Sequence, residues 1–376
     1  MKTRHLANIY RLGVKELWGL LRDPMMMILI LYAFTGAVYI AGTAAPETLH
    51  NAPIAIINED RSPLSWRIVS AFYPPYFREP KLVTPAEADR GMDAGLYTFS
   101  INIPPNFQRD VLAGRNPEVQ LNVDATRMSQ AFIGSGFIQR IIIGEVDEFV
   151  REYRGQTETP VNLVLRNRFN PTLDQSWFVS LMEVINMVTA LSIILTGAAL
   201  IREREHGTIE HLLTMPVTPT EIMLSKVWAM GLVVLIGTGF SLTFIVRGAL
   251  GVPVQGSRLL FLAGAALHLC ATTSMGIFMA TLARSMPQFG LLLMLTLIPL
   301  QLLSGGMTPR ESMPEFVQTI MLAAPTTHFV AASQAILFRG AGFDVVWPRF
   351  LALAGIGAVF FLFALARFRK MLVQAA

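Results

Sequence analysis

The stretch IREREHGTIEHLLTMPVTPTEIMLSKVW, Ile201 to Trp228, gathers reactive side chains between two long apolar runs. It carries the bases Arg202, Arg204 and Lys226, the acids Glu203, Glu205, Glu210 and Glu221, and the histidines His206 and His211. Acids beside histidines raise the question of a metal hydrolase. His206 and His211 stand five apart, whereas two imidazoles on one helix face need a spacing of four, and no His-Glu-x-x-His occurs. No metal site is expected, and the residues read as polar groups of a solvated turn. Nucleotide hydrolysis in a P-loop enzyme needs a glycine-rich loop ending Gly-Lys-Ser/Thr, whose amides and lysine hold the phosphates. None of the lysines (Lys2, Lys15, Lys81, Lys226, Lys370) follows a glycine, so the chain has no such loop. A Gly-x-Ser-x-Gly nucleophile elbow is also missing, and Asp60, Asp89, Asp93 and Asp124 suit turns and caps better than catalysis. No catalytic residue is expected.

Ion-coupled transport would leave acids deep in the apolar runs, where they are costly and therefore functional by default. The runs offer only Glu183, Asn186 and His268 as pathway residues. Glu183 falls near the end of its run, and His268 lies among Ala, Gly, Ser and Thr, which suits hydrogen bonding between packed helices.

The elements around these groups follow from composition. Of 376 residues 53% are hydrophobic and 15% charged, and the mean hydropathy is +0.49. Soluble domains carry about 25% charged residues, so this is an integral membrane chain. Residues 46–176 hold 13 Lys and Arg against 16 Asp and Glu, while the remainder is basic, mostly beside apolar runs. That distribution marks membrane orientation and excludes nucleic acid as a partner. The single Cys270 reads as a small buried hydrophobe.

A helix needs about 20 apolar residues to cross a bilayer. Six runs qualify: Met25–Ala45, Phe178–Ile201, Val227–Arg247, Leu259–Ala283, Phe289–Leu303, which is short and holds Pro299, and Val345–Ala366. The expected fold is thus a polytopic α-helical membrane protein of six spans. Lys2, Arg4, Arg11, Lys15 and Arg22 precede the first run, and Arg367, Arg369 and Lys370 follow the last. Basic flanks face the cytoplasm, so both termini are expected there. Arg258, Arg310, Arg339 and Arg349 then stand on the less favoured side. Residues 1–24 read as a cytoplasmic amphipathic helix at the membrane surface, with Arg4, Asn8, Arg11, Lys15 and Arg22 toward lipid phosphates. A cleaved signal peptide competes for 1–45, but its charged region is too long and its apolar run is of span length.

Residues 46–176 form an inserted domain, expected to be α/β and periplasmic. Its strands are read in APIAIINED, YTFSINIP and EVQLNVDA. Helices are read in SPLSWRIVSAF, capped by Ser62, in AEADRGMDAGL, in NFQRDVLAG, closed by Gly114, and in a long segment from Ser129 to Tyr153. Residues 177–376 then hold five spans, a cytoplasmic segment at 202–226 and an outer segment at 304–344.

This order of parts resembles the ABC-2 type permeases, the membrane subunits of one class of ABC exporter, along nearly the whole chain. The charged turn matches through Arg204, Glu205, Gly207, Thr208, Glu210, Pro216 and Lys226. INIPPNFQRDVLAGRNPEVQLNVDATRMSQA is similar to the family's external-domain pattern, and LSGGMTPRESMPEFVQTIMLAAPTTHFV to its pair of outer half-helices. The resemblance implies a bacterial inner-membrane exporter subunit that binds no cofactor itself. ATP and magnesium would be held by partner ABC ATPase subunits, and a second permease, identical or paralogous, would complete the path. A periplasmic adaptor and an outer-membrane channel are further implied partners. On this reading Arg202, Glu203, Arg204, Glu205, His206, Gly207, Thr208, Glu210, Pro216 and Lys226 receive the ATPase. Residues 202–213 would form a helix broken near Pro216 and Pro219, with Thr218 or Thr220 capping the next one. Ser304, Gly305, Gly306, Pro325, Thr326 and His328 would form an outer gate, two re-entrant helices around Pro325. An ion-driven carrier and a non-transporting receptor or assembly protein are the alternatives.

Overall fold

A computed structural model describes residues 2–44, 51–124, 128–154, 174–207, 216–308 and 310–375. The chain divides into two compact units, Met1–Ala44 with Ser176–Ala376, and Ala45–Gln175.

Helix α1, Lys2–Leu21, stops just before Asp23. That carboxylate caps α2, Pro24–Ala44, by accepting from the Met26 amide at 3.2 Å, with Pro24 in the first turn where its missing N–H costs nothing. Within α2, Ala33–Ala37 adopts π geometry.

The second unit is a four-stranded sheet of order β2-β1-β3-β4, built from β1 Ile54–Asn58, β2 Lys81–Leu82, β3 Phe99–Ile103 and β4 Gln120–Val123. Strand β1 runs parallel to β2 and β3, while β4 is antiparallel to β3. Its helices are α3 Pro63–Ser70, α4 Pro85–Asp93, α5 Phe107–Leu112 and α6 Met128–Arg154. Ile54, Ile56, Phe99 and Ile101 alternate into a core with Leu64, Ile68 and Ile138. Arg67 on α3 pins α6 by pairing with Glu145 at 2.6 Å, Glu148 at 2.6 Å and Glu152 at 3.1 Å. The short β2 escapes the sequence reading because two residues carry no alternation.

The first unit continues with α7 Gln175–Glu205, α8 Pro219–Ala249, α9 Arg258–Leu282, α10 Met286–Leu302, α11 Glu315–Met321, α12 Pro325–Leu337 and α13 Phe343–Ala375. Ser241–Ala249, the last part of α8, is π-helical and touches the π stretch of α2. Helix α9 is central and packs along α8, α12 and α13. One core gathers Val188, Phe261, Leu269, Phe329 and Leu353, and a second gathers Leu12, Ile201, Ile222, Phe289 and Phe368.

Five helices, α2, α7, α8, α9 and α13, are long and apolar enough to cross a membrane, and six candidates result if the bent pair α11–α12 counts as one. The expected six falls within that range, but the run expected as the fifth span is not one of the long helices. The run at 289–303 forms α10, whose 17 residues rise only about 25 Å, short of the roughly 30 Å hydrocarbon core. Cys270 is also corrected, for it is exposed. On α9 the inward stripe takes His268, Leu269, Ala271 and Thr272, which leaves Cys270 on the outer face.

Helices α7 and α9 approach closely. A Cβ on Gly276 would lie 2.6 Å from the Ile193 carbonyl oxygen, so only glycine permits this backbone contact. Close packing through small residues replaces the hydrophobic drive that lipid removes.

Candidate functional site

The charged end of α7 is held on every side. Gly207 ends the helix at φ +68°, a conformation that suits glycine at a helix terminus. Thr208 and Glu210 lie outside the described residues, and Pro216 is exposed. Thr218, rather than Thr220, caps α8: its hydroxyl accepts from the Glu221 amide at 3.3 Å, and Glu221 accepts from the Thr218 amide at 2.5 Å.

Glu203 and Lys226, both expected in an ATPase-receiving surface, meet inside. Lys226 Nζ is 2.7 Å from Glu203 Oε2 and 2.9 Å from Glu16 Oε1, and its side chain is 1% exposed. Lys15 completes the cluster at 2.8 Å from Glu203 Oε1. Two ammonium groups thus face two carboxylates, as a buried charge requires. Burial pushes the Glu16 carboxyl up from the ordinary value, against the pull of Lys226.

Neighbouring groups fasten the same end elsewhere. Arg202 pairs with Asp23 at the α1–α2 junction. Arg204 donates to the Ala280 carbonyl at 3.4 Å and to that of Ala283, satisfying the last carbonyls of α9. Glu205 accepts from the Met286 amide at 3.0 Å, at the positive end of α10. His206 Nδ1 donates to the Arg202 carbonyl at 2.8 Å. Glu205, His206, Gly207 and Pro216 remain exposed.

The docking of α1 is the feature that sequence reasoning missed. His5 and Asn8 bond Glu221 at 2.9 and 3.1 Å, and the Trp228 indole donates to the Ile9 carbonyl at 3.1 Å. Asn8 and Lys15, expected toward lipid phosphates, therefore serve α8 and α7. Arg4, Arg11 and Arg22 stay exposed, with no ion-pair partner among the described residues. The signal was the i, i+3, i+10, i+11 spacing of His5, Asn8, Lys15 and Glu16, a second polar stripe flanking the core residue Leu12 on the same helix.

The segment expected on the outer side breaks at Pro325, where α11 and α12 meet at 89°. Ser304 is buried at 2% exposure, and Gly305 and Gly306 follow it. Thr326 and His328, at 3% and 7%, lie inside rather than on the surface. His328 Nε2 donates to the Leu322 carbonyl at 2.9 Å and Nδ1 accepts from Arg349 at 3.3 Å, which fixes the tautomer. The structure does not bring the expected pathway residues into one cluster with these. Glu183 and Asn186 are half-buried on α7. His268 is fully buried, accepts or donates at 2.9 Å with Thr189, and stacks on Phe329 at 4.2 Å. Beside it Ser192 donates to Thr272 at 2.7 Å.

A family model described as "ABC-2 family transporter protein" matches residues 24–366. The chain belongs to that family. It is 62% identical over 367 residues to "Inner membrane transport permease YhhJ" of Escherichia coli strain K12, covering 98% of both chains. It is 28% identical over 371 residues to "Probable multidrug ABC transporter permease YbhR" of the same strain, covering 96% of this chain and 98% of the relative. A third relative there, "Probable multidrug ABC transporter permease YbhS", is 26% identical over 343 residues, 89% of each chain. The matched region of this ABC-2 permease family member begins at Pro24. Helix α1, which holds the charged turn in place, thus lies before it.

Proposed function

We propose that the chain is the permease subunit of an ATP-driven exporter in the bacterial inner membrane, moving substrate outward from the cytoplasm or the membrane itself. The observation that carries this reading is the fastening of one short charged end to four other helices. Glu203 reaches α8 and α1, Arg204 reaches α9, and Glu205 reaches α10. A push on the exposed Glu205, His206, Gly207 and Pro216 would therefore displace the bundle as a body. An ABC ATPase subunit, holding ATP and magnesium, supplies that push, since this sequence has no nucleotide loop of its own. A second permease completes the path, and both termini face the cytoplasm. The unit at 45–175 then lies in the periplasm, where it meets an adaptor leading to an outer-membrane channel. The word "multidrug" in two relatives' names favours amphipathic organic compounds as substrates. The break at Pro325 suits an outer gate, because irregular backbone at membrane depth needs protein or a water-filled cavity beside it.

The test is co-purification of an ABC ATPase subunit from the same cells, followed by substrate-stimulated ATP hydrolysis. Reversing Glu205 and Glu210 together to lysine should abolish both. Unchanged co-purification would sink the docking surface, and stimulation by an ion gradient without ATP would favour a carrier working through Glu183.

A further inference from the structure

Arg310 and Arg349 are distant in sequence and unexplained by the charge distribution, yet they line one cavity of about 410 Å³. Ser304, Thr327 and Gln334 share its wall with them, and the exposed Glu311 stands at the same cavity. Among the described residues neither guanidinium has a carboxylate within ion-pair distance, Glu311 included. Arg310 donates to the Gln318 carbonyl at 3.4 Å, but its buried Nε has no partner. Arg349 commits one N–H to His328 Nδ1. Thr327 is 1% exposed, and its hydroxyl is also without a partner.

A buried donor left unpaired costs free energy, and a permanently charged guanidinium costs more. Several such donors around one polar space form a receptor for what they lack, a multidentate acceptor of negative charge. Guanidinium forks match the oxygens of tetrahedral and planar oxyanions. Phe178 and Val330 line the same cavity and give it an apolar wall.

We propose that this cavity binds a phosphate group between Arg310 and Arg349, with the Thr327 hydroxyl as a third donor. The group is either the head of an amphiphile, whose chain lies along Phe178 and Val330, or a free anion. The site goes beyond the coupling reading, and its test needs no ATPase.

The full-length chain in dodecyl maltoside micelles, whose detergent carries no phosphate, is probed with radiolabelled inorganic phosphate, dioctanoyl phosphatidic acid and dioctanoylglycerol in a scintillation proximity assay. Arg310→Gln and Arg349→Gln should each weaken phosphate-group binding by about tenfold, the scale of one charge-assisted hydrogen bond. Thr327→Val should weaken it by about threefold, and Arg258→Gln, outside the cavity, should leave it unchanged. Arg349→Lys keeps the charge without the fork and should fall between native and Gln. Each variant must keep the native elution profile and melting temperature, and the lysine variant carries the test if a glutamine variant does not. Binding of inorganic phosphate identifies a free-anion site, and binding of phosphatidic acid alone identifies a headgroup site. Binding of neither, equal binding of dioctanoylglycerol, or full binding by the Arg variants would overturn the proposal.

Discussion

Two polar clusters in the helical unit share α7 and hold it to its neighbours by different means. At the charged end of α7, Lys226 lies between Glu16 and Glu203 at 2.9 and 2.7 Å. Midway along α7 and α9, the partners are neutral: His268 with Thr189, and Ser192 with Thr272. The hydroxyls of the second cluster also have local acceptors, since Ser192 reaches the Thr189 carbonyl at 2.8 Å and Thr272 that of His268 at 3.2 Å. A hydroxyl that loses its distant partner keeps its own helix. An ammonium or carboxylate that loses its partner has no such refuge, so the ionic cluster is far more sensitive to single changes.

Removing the central charge should therefore have the largest effect. Lys226→Met leaves two buried carboxylates facing each other and should cost about 3 kcal/mol, read as thermal unfolding followed by tryptophan fluorescence. Adding Glu16→Gln and Glu203→Gln should recover much of that loss. Equal destabilisation of the single and triple variants would break the contrast. Gly276→Ala comes next, at about 2 kcal/mol, because its Cβ meets a backbone oxygen that can move only with the whole helix. A neutral result in the same assay would mean that α7 and α9 can separate freely. The smallest effect is expected from Thr189→Val, about 0.6 kcal/mol, the mean measured for hydrogen bonds between membrane helices. A loss as large as that of Lys226→Met would erase the distinction between the clusters.

Much of the architecture was legible because apolar length and caps act locally. Ser62 and Pro63 open α3 as read, with the Ser65 amide donating to the Ser62 hydroxyl at 3.2 Å, and YTFSINIP, read as a strand, resolved into β3. Pro325 broke the apolar segment after α10 at the expected residue. What eluded the sequence were relations between distant positions. Nothing in the lone Lys226 shows that Glu16, far earlier in the chain, is its partner. Charges at 202–226 read as one surface, although packing sends Glu203 and Lys226 inward and leaves Glu205 and His206 outside. Likewise the length of α10 depends on where Pro299 and the glycines let the helix stop.

The π stretches of α2 and α8 touch at Ala33–Ala37 and Ser241–Ala249. Each π turn holds one residue more than an α turn needs, so it is slack wound into an otherwise rigid rod. Releasing that residue would turn the remainder of the helix about its axis without breaking the chain. Two such reserves side by side give the first and third long apolar helices a place to slip in register, while the ionic clamp at the far end stays closed.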